Sequence, residues 1–411
     1  MTTNIARVGI LFSGGPAPAA NAVISAAALS FLDAGIPVVG FLDGYENLEQ
    51  WAPERPLREG DDWVCLTREN VAGTRHRTDI LLRTARANPG KAIRTLEDLA
   101  DPERSAKLRA VLGALDSLGV DALISLGGDD TLKTANYLME IQRVDPTLPR
   151  VRVVHLPKTI DNDYFGIDWT FGFTTAADFA ATEVRNLVAD AKSTKAWYVV
   201  EVMGRKAGWL TYATGIAGGA VRMLSVEDFE DRFDAAAAAR DLVDVMVTRE
   251  EEGRFHGVVC VAEGLADILP DDQRPTKVDE HGNPVLGSVQ IGRYLADAME
   301  AEYHERTGQT RKVRAKQVGY EARCAEPRAF DVMLGSQLGV GAYRALVEED
   351  LTGVMVSVDG LLDLRFVPFG DLIDAETLRT RVRMIPPGGD FHRLARALEY
   401  QRRARPAPEC G

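Results

Sequence analysis

The sequence lacks the residue patterns that cross-link small proteins or hold metal clusters. Its four cysteines form no C-x-x-C pair and are scattered over 411 residues as Cys65, Cys260, Cys324 and Cys410. The six histidines show no H-E-x-x-H spacing. These absences exclude a disulfide framework and a zinc site of the usual spacing.

Long apolar runs and an excess of positive charge are also missing. No run of 18 or more apolar residues occurs, so no transmembrane helix is expected. The N-terminus lacks the basic region and cleavage site of a signal peptide, and we expect a cytoplasmic protein. The net charge of -13 argues against a nucleic-acid-binding protein, because phosphate backbones attract basic surfaces. A small anionic ligand stays compatible, since local charge decides its binding.

What the sequence does contain is a set of short apolar runs that alternate with helical patterns. The predicted strands are Ala6–Phe12, Ile36–Leu42, Ala122–Leu126, Val151–Leu156, Ala196–Met203 and Phe255–Ala262. The predicted helices include Ala17–Ala34, Ala177–Ala191 and one that starts at Thr131. This alternation predicts an α/β protein with parallel sheets covered on both faces, and the length suggests two or three domains. The polar segment 267–283 is predicted to be a surface loop.

Two glycine pairs directly follow predicted strands. Ser13-Gly14-Gly15 follows the first strand, and its glycines allow the backbone to approach a phosphate closely. In Gly127-Gly128-Asp129-Asp130-Thr131 the two carboxylates can hold Mg²⁺, and Thr131 can cap the next helix. Each pattern alone is also compatible with a simple strand-to-helix turn.

The segment Pro157-Lys158-Thr159-Ile160-Asp161-Asn162-Asp163 is more specific. It places a lysine, one of only ten in the chain, beside a hydroxyl and two carboxylates. Asp161 can accept a proton from a substrate hydroxyl, and Lys158 can neutralise phosphate charge. The alternative is an Asx-type turn network, which does not require the lysine.

Further polar motifs follow the later strands. Arg205, in Met203-Gly204-Arg205, can bind a phosphate or carboxylate with its planar guanidinium. Glu263, Arg314 and the segment Gly319–Arg323 lie further along. These arginines and the tyrosine suit a sugar phosphate, and a solvated basic face is the alternative.

Taken together and in this order, the motifs SGGPAPAAN, GGDDT, PKTIDND, MGRKAG, AEG and GYEAR resemble those of the phosphofructokinase family. The resemblance spans Ser13 to Arg323. It implies two Rossmann-like lobes with largely parallel sheets and an active site in the cleft between them. It also implies a donor lobe over 1–156, completed by part of 324–385, a sugar-phosphate lobe over 157–323, and a C-terminal helix and tail over 386–411.

Two positions resemble the pyrophosphate-dependent branch of that family. Members that use ATP typically read GGDG and PGTIDND, whereas this chain has Asp130 and Lys158. The Asp130 carboxylate would crowd and repel the α-phosphate region of ATP, and Lys158 would attract pyrophosphate. The implied reaction is Mg²⁺-dependent and reversible transfer of a phosphoryl group from pyrophosphate to the 1-hydroxyl of fructose 6-phosphate.

The resemblance also implies roles for individual residues. It assigns catalysis to Asp161 as the base, with Lys158 and Arg205, and magnesium binding to Asp129. It assigns the donor to Gly14, Gly15, Arg86, Asp130 and Lys158. Positions matched to the sugar phosphate are Thr159, Asp161, Asp163, Met203, Gly204, Arg205, Glu263, Tyr320 and Arg323, the last two at the 6-phosphate.

In this family a neighbouring subunit lends basic residues to the sugar site. Arg314 stands at one such position, and Lys195 precedes Ala196 at the other, where many relatives have arginine. The resemblance therefore implies a homodimer or homotetramer with shared active sites. Relatives usually have glycine where Ala19 stands, and alanine there either narrows the donor site or stiffens the helix start.

Two alternative functions stay open. One is an ATP-dependent 6-phosphofructokinase. The other is a catalytically weak regulatory subunit of the same fold, in which loss of Asp161 or Lys158 would be expected, although both are present.

Overall fold

The structure is a computed structural model that describes residues 5–230, 232–271, 273–274 and 289–401. The chain forms two compact units. The first contains the described residues up to Thr175 together with Arg323–Arg383. The second contains Ala176–Ala322 together with the described residues from Met384 onward. Each unit is therefore built from separate stretches of the sequence.

Strands and helices alternate along most of the chain, as predicted. The strands are β1 (Val8–Phe12), β2 (Val38–Phe41), β3 (Trp63–Leu66), β4 (Ala122–Gly127), β5 (Arg152–Pro157), β6 (Trp197–Val202), β7 (Arg222–Leu224), β8 (Gly257–Ala262), β9 (Val313–Val318), β10 (Val354–Asp359) and β11 (Asp363–Pro368). The helices are α1 (Ala20–Asp33), α2 (Arg68–Val71), α3 (Ala106–Ser117), α4 (Asp129–Val144), α5 (Phe173–Thr194), α6 (Trp209–Gly218), α7 (Ala235–Glu251), α8 (Ile291–Thr307), α9 (Ala329–Tyr343), α10 (Phe369–Leu372) and α11 (Asp390–Leu398). The predicted α/β class is confirmed.

The first unit is organised around a seven-stranded sheet in the order β11-β10-β5-β4-β1-β2-β3. Its five inner strands are parallel, and the edge strands β3 and β11 are antiparallel to their neighbours. From the adjacent pair β1 and β4 the chain order runs outward in both directions. Ligands of open α/β sheets bind at such a switch point, outside the carboxyl ends of the strands.

Helix α9 packs directly against α1, and two glycines allow the close approach. A Cβ atom on Gly339 would lie 2.5 Å from the carbonyl oxygen of Val23 and 2.8 Å from the amide nitrogen of Ala27. On Gly335 it would lie 3.1 Å from a methyl group of Val23. The two helix backbones therefore meet where no side chain intervenes.

The second unit contains a four-stranded, fully parallel sheet in the order β7-β8-β6-β9. Strands β6 and β8 are buried along their whole length. Helices α7 and α8 pack in the same apolar cluster, which includes Trp197, Met246 and Met299. A small apolar core thus supports the polar loops that follow the strands.

The C-terminal helix belongs to this second unit. Its His392 lies 3.1 Å from the carboxylate of Asp228, and the Glu399 carboxylate accepts a hydrogen bond from the Met223 amide at 2.6 Å. Sequence analysis treated residues 386–411 as a separate segment. These polar contacts attach its described part to β7 and to the turn that follows.

The boundary between the units also differs from the predicted lobes. Residues 157–175, assigned by sequence to the second lobe, group with the first unit. The reason is local bonding, since Lys158 forms a parallel bridge with Phe171 and the Ser357 hydroxyl donates to the Gly166 carbonyl at 2.6 Å. The predicted loop over 267–283 begins later, because a 3₁₀ helix covers Glu263–Ile268, and 272 and 275–283 lie outside the described residues.

Within the described ranges, the helices are all too short or too polar to cross a membrane.

The close contact of α1 and α9 predicts that one added methyl group lowers the stability of the protein. Gly339→Ala is expected to lower the free energy of unfolding by about 1–3 kcal/mol, because the added methyl overlaps backbone atoms that cannot rotate away. Denaturant titration measures the change. Gly370→Ala is the matched control, since a Cβ there meets no atom within 4 Å. Equal midpoints for the two variants would contradict the close packing.

Candidate active site

Three polar loops of the first unit lie at one edge of its sheet. They follow the parallel neighbours β1, β4 and β5. The Ser13 amide donates to the Leu126 carbonyl at 2.9 Å, and the Lys158 amide donates to the Gly127 carbonyl at 2.9 Å. The structure thus brings together three motifs that the sequence places far apart.

A fourth segment, around Arg86, is hydrogen-bonded to the loop after β1. Gly14 has a φ of 92°, a backbone conformation that favours glycine. Its amide donates to the Ala85 carbonyl at 2.9 Å, and the Thr84 hydroxyl donates to the Gly14 carbonyl. These bonds hold the backbone around Arg86 beside the loop, although 72 residues separate Gly14 from Arg86.

Two cationic side chains occupy the space that the glycine pair leaves open. The Lys158 Nζ lies 3.3 Å from the point where a Cβ on Gly14 would stand. The Arg323 Nη1 lies 3.3 Å from the corresponding point on Gly15. The family resemblance implies that Arg323 binds the sugar 6-phosphate, and in the structure its guanidinium lies beside the Gly14–Gly15 loop.

Lys158 is buried, and its charge is unfavourable where it lies. Burial lowers the pKa of Lys158 to about 8, and the nearby cations Arg323 and Arg86 lower it too, while Asp161 and Asp129 oppose the shift. The protonated amine therefore gains from any anion that binds beside it.

Helix α4 begins with the two carboxylates of the second motif. It starts at Asp129 rather than at Thr131, and Gly128 precedes it. Asp130 is exposed, and its Oδ1 lies 2.6 Å from the Lys133 Nζ one turn along the helix. The prediction that Thr131 caps the helix is wrong, because Thr131 lies within the first turn and its side chain covers Gly127.

A buried tyrosine and histidine lie beneath this turn, and sequence analysis missed both. The Tyr164 hydroxyl donates to the Gly127 carbonyl at 3.3 Å and lies 3.0 Å from the His155 Nε2. Burial lowers the pKa of His155 to about 3, so the imidazole is neutral. Its Nε2–H can then donate to the tyrosine oxygen, and the pair supports the glycine turn from below. A buried His in a strand gives no local signal of this role.

The segment that carries Asp161 is fixed by its neighbours. The Asp161 amide donates to the Thr159 Oγ1 at 3.0 Å. Asn162 adopts a left-handed φ of 56°, and its side-chain oxygen accepts hydrogen bonds from the amide and hydroxyl of Thr170, at 2.9 and 3.2 Å. Asp161 and Asp163 thus flank a rigid residue.

Carboxylates at this edge are of the kind that can hold a divalent cation. No three His, Cys, Asp or Glu side chains converge as a metal cage in the part of the chain that is described. Mg²⁺ does not need a cage, since it usually takes one or two carboxylates and completes its shell with water and substrate phosphates. Asp129, at the start of α4, is a carboxylate of this kind.

Ala19 occupies a position that favours glycine. It precedes α1 with a φ of 66° and is buried. Glycine adopts this backbone conformation freely, whereas alanine adds conformational strain at the helix start.

The second unit has its own cluster of loops, at the carboxyl edge of its sheet. The Gly204 amide donates to the Glu263 Oε1 at 3.3 Å. A Cβ on Gly319 would lie 2.4 Å from the Met203 side chain, so the loops after β6 and β9 are in contact. Tyr320 follows and is 71% exposed.

Arg205 lies in this second cluster and has a partner that sequence analysis missed. Its Nε is 3.6 Å from a carboxylate oxygen of Asp267. Burial raises the pKa of Asp267, and Arg205 partly offsets that rise. The carboxylate orients the guanidinium next to the Gly204 turn.

Arg314 and Lys195 lie apart from these residues. Arg314 is at the start of β9, where its Nη1 donates to the Tyr198 hydroxyl at 3.0 Å. Lys195 precedes β6, with its Nζ over the Phe255 ring. Arg314 lies four residue steps before Val318 at the end of β9, a length of about 13 Å at 3.3 Å per residue. Both cations therefore lie toward the amino ends of the strands, away from their own unit's loop cluster.

Comparison with known proteins identifies relatives over most of the chain. The profile of the phosphofructokinase family matches residues 7–346. A pyrophosphate–fructose 6-phosphate 1-phosphotransferase from Thermotoga maritima is 33% identical over 95% of this chain and 89% of its own length. An ATP-dependent 6-phosphofructokinase from Corynebacterium efficiens is 34% identical over 85% of this chain and 89% of its own length. A crystal structure of a pyrophosphate-dependent phosphofructokinase from Nitrosospira multiformis shares the fold, with a TM-score of 0.71 and 17% identity over 99% of this chain and 95% of its own.

The lowered pKa of Lys158 can be measured directly. The reaction rate of its amine with acetic anhydride, followed by mass spectrometry across pH, should have a midpoint near 8. Arg323→Gln should move the midpoint upward, because it removes a neighbouring cation. A midpoint near 10.5 in the unaltered protein would contradict the burial of this amine.

Proposed function

The chain belongs to the phosphofructokinase family, and we propose that it transfers a phosphoryl group reversibly between pyrophosphate and the 1-hydroxyl of fructose 6-phosphate, with Mg²⁺. The observation that carries the proposal is the environment of Lys158. It is a buried amine beside Gly14, whose charge Arg323 and Arg86 disfavour and Asp161 and Asp129 favour. This environment suits a highly charged inorganic anion.

Asp130 supports pyrophosphate over ATP as the donor. It projects from the first turn of α4, where a helix N-terminus would otherwise favour a further phosphate. Lys133 pairs with its carboxylate and so partly neutralises it. We infer that Asp130 excludes a nucleotide by occupying this place as well as by its charge.

The chain's residues divide the chemistry between positioning, charge neutralisation and proton transfer. Asp161 accepts the proton of the sugar 1-hydroxyl as the oxygen attacks the nearer phosphorus. Lys158, with Arg86 and the backbone N–H group of Gly15, offsets the charge of the transferring phosphoryl group and of the phosphate released. Gly14 lines the donor site beside them, and its own N–H is bonded to the Ala85 carbonyl. Asp129 would hold Mg²⁺, which supplies further neutralisation of the donor oxygens when bound.

As the family resemblance implies, the sugar phosphate is proposed to bind Thr159, Asp163, Met203, Gly204, Arg205, Glu263, Tyr320 and Arg323. Arg314 and Lys195 lie too far from their own unit's loops to join them. Their position supports their donation to a neighbouring subunit, and with it a homodimer or homotetramer.

ATP is the alternative donor. Relatives named as ATP-dependent enzymes are about as similar to this chain as some named for pyrophosphate, so overall identity does not separate the two. The donor preference rests on Asp130 and Lys158.

Initial rates with fructose 6-phosphate and Mg²⁺ test the donor. We expect a higher kcat/KM with pyrophosphate than with ATP. Asp130→Gly should raise kcat/KM for ATP about tenfold or more, because it removes both volume and like charge. Asp130→Asn keeps the volume and separates the two effects. Preference for ATP in the unaltered enzyme would refute the donor assignment, and no rate with either would favour a regulatory subunit.

Asp161→Asn tests the base. Turnover should fall by about 10²–10⁴-fold, the usual contribution of a positioned base. Calorimetric titration should show fructose 6-phosphate binding nearly unchanged, because the amide keeps the shape of the carboxylate. Asp116→Asn, an exposed site on α3, serves as the control. Near-normal turnover in Asp161→Asn would exclude this residue as the base.

A further inference from the structure

An arginine far along the chain holds the backbone next to Asp161. The Arg383 guanidinium donates two hydrogen bonds to the Asn162 carbonyl, at 2.8 Å from Nη2 and 3.3 Å from Nε. Its Nη1 donates to the Asp168 carbonyl at 2.7 Å. The Arg383 amide donates to the Asp163 carbonyl at 2.8 Å. One residue therefore binds the Asp161 segment through both its side chain and its backbone.

This contact acts where the segment has an uncommon conformation. Asn162 is almost fully buried and left-handed, with a φ of 56°. Its side chain bonds to Thr170, and its carbonyl is bonded by Arg383. Both the side chain and the carbonyl of Asn162 are thus hydrogen-bonded. These bonds also fix the backbone of the adjacent residue, Asp161.

Burial of the Arg383 guanidinium is energetically unfavourable. Burial lowers the pKa of Arg383, and the carboxylates of Asp168 and Asp163 oppose the shift. A packed apolar side chain could not bond a carbonyl, and a lysine would bring a compact ammonium instead of a planar fork. The fork can reach two carbonyls, at Asn162 and Asp168, at the same time.

We propose that Arg383 is a positioning residue for the base Asp161, acting through the Asn162 carbonyl. The proposal rests on the proposed function of Asp161. A displacement of about 1 Å in a reacting group can cost 10²-fold in rate. Loss of the Arg383 guanidinium should therefore lower turnover without weakening the donor site. The donor-site cations Arg86 and Arg323 lie on other segments, and Lys158 is held by the bond from its own amide to the Gly127 carbonyl.

Steady-state kinetics of Arg383→Gln and Arg383→Lys test this inference. We expect kcat to fall about 10- to 100-fold in R383Q and less in R383K, with the pyrophosphate KM within about twofold. Hydrogen exchange should rise at residues 159–164 and stay unchanged in α1. Arg381→Gln is the matched control, because that arginine, two residues earlier, lies over the Phe165 ring and should keep full turnover. Should R383Q not fold, R383K and the exchange of 159–164 carry the same test.

A double variant separates this proposal from the role of Asp161 itself. If Arg383 acts through Asp161, R383Q should slow the Asp161→Asn enzyme by no more than about twofold, because the group it positions is already gone. Full additivity of the two losses would overturn the positioning role, as would normal kcat in R383Q. Normal turnover in the Asp161→Asn single variant would refute Asp161 as the base. Hydrogen exchange at residues 159–164 would then still show whether Arg383 holds this segment.

Discussion

Positive charge gathered at one edge of a buried sheet is the constraint on which the first unit depends. Arg323 and Arg86 both disfavour the charge on Lys158 there, and burial of the Lys158 amine disfavours it further. Asp129 and Asp161 offset part of this effect. Hydrogen bonds of the backbone amides hold the glycine loop and the Asp161 segment in place, so this charge stays concentrated at one edge of the sheet.

Two sets of buried hydrogen bonds hold this edge of the sheet in place. Tyr164 and His155 hold the Gly127 turn from within the sheet, and Asn162 is bonded through both its side chain and its carbonyl. None of these residues carries the proposed chemistry. They remove conformational freedom from the groups that do, so that little reorganisation is needed when the substrate binds.

The sequence predicted the loops well because their information is local. Glycines and polar residues directly follow apolar strands, and parallel pairing brings the ends of such strands together. The supports were not predictable in this way. Arg383 lies in no motif, and the position of Arg323 beside Gly15 is a contact between residues about 300 positions apart that no local pattern encodes. Strand β9 was missed because its middle residues are polar and exposed, as suits an edge strand.

The division of each unit into separate stretches bears on how the protein is synthesised. Strand β5, with its apolar run, pairs on one side with β10, which is encoded about 200 residues later. While the ribosome is still translating the second unit, the nascent first unit presents β5 as an unpaired edge, the kind of surface on which chains aggregate. The β5 edge therefore has to be shielded until residue 359 has left the ribosome. This requirement follows from the chain order, because β10 of the first sheet is made only after the second unit.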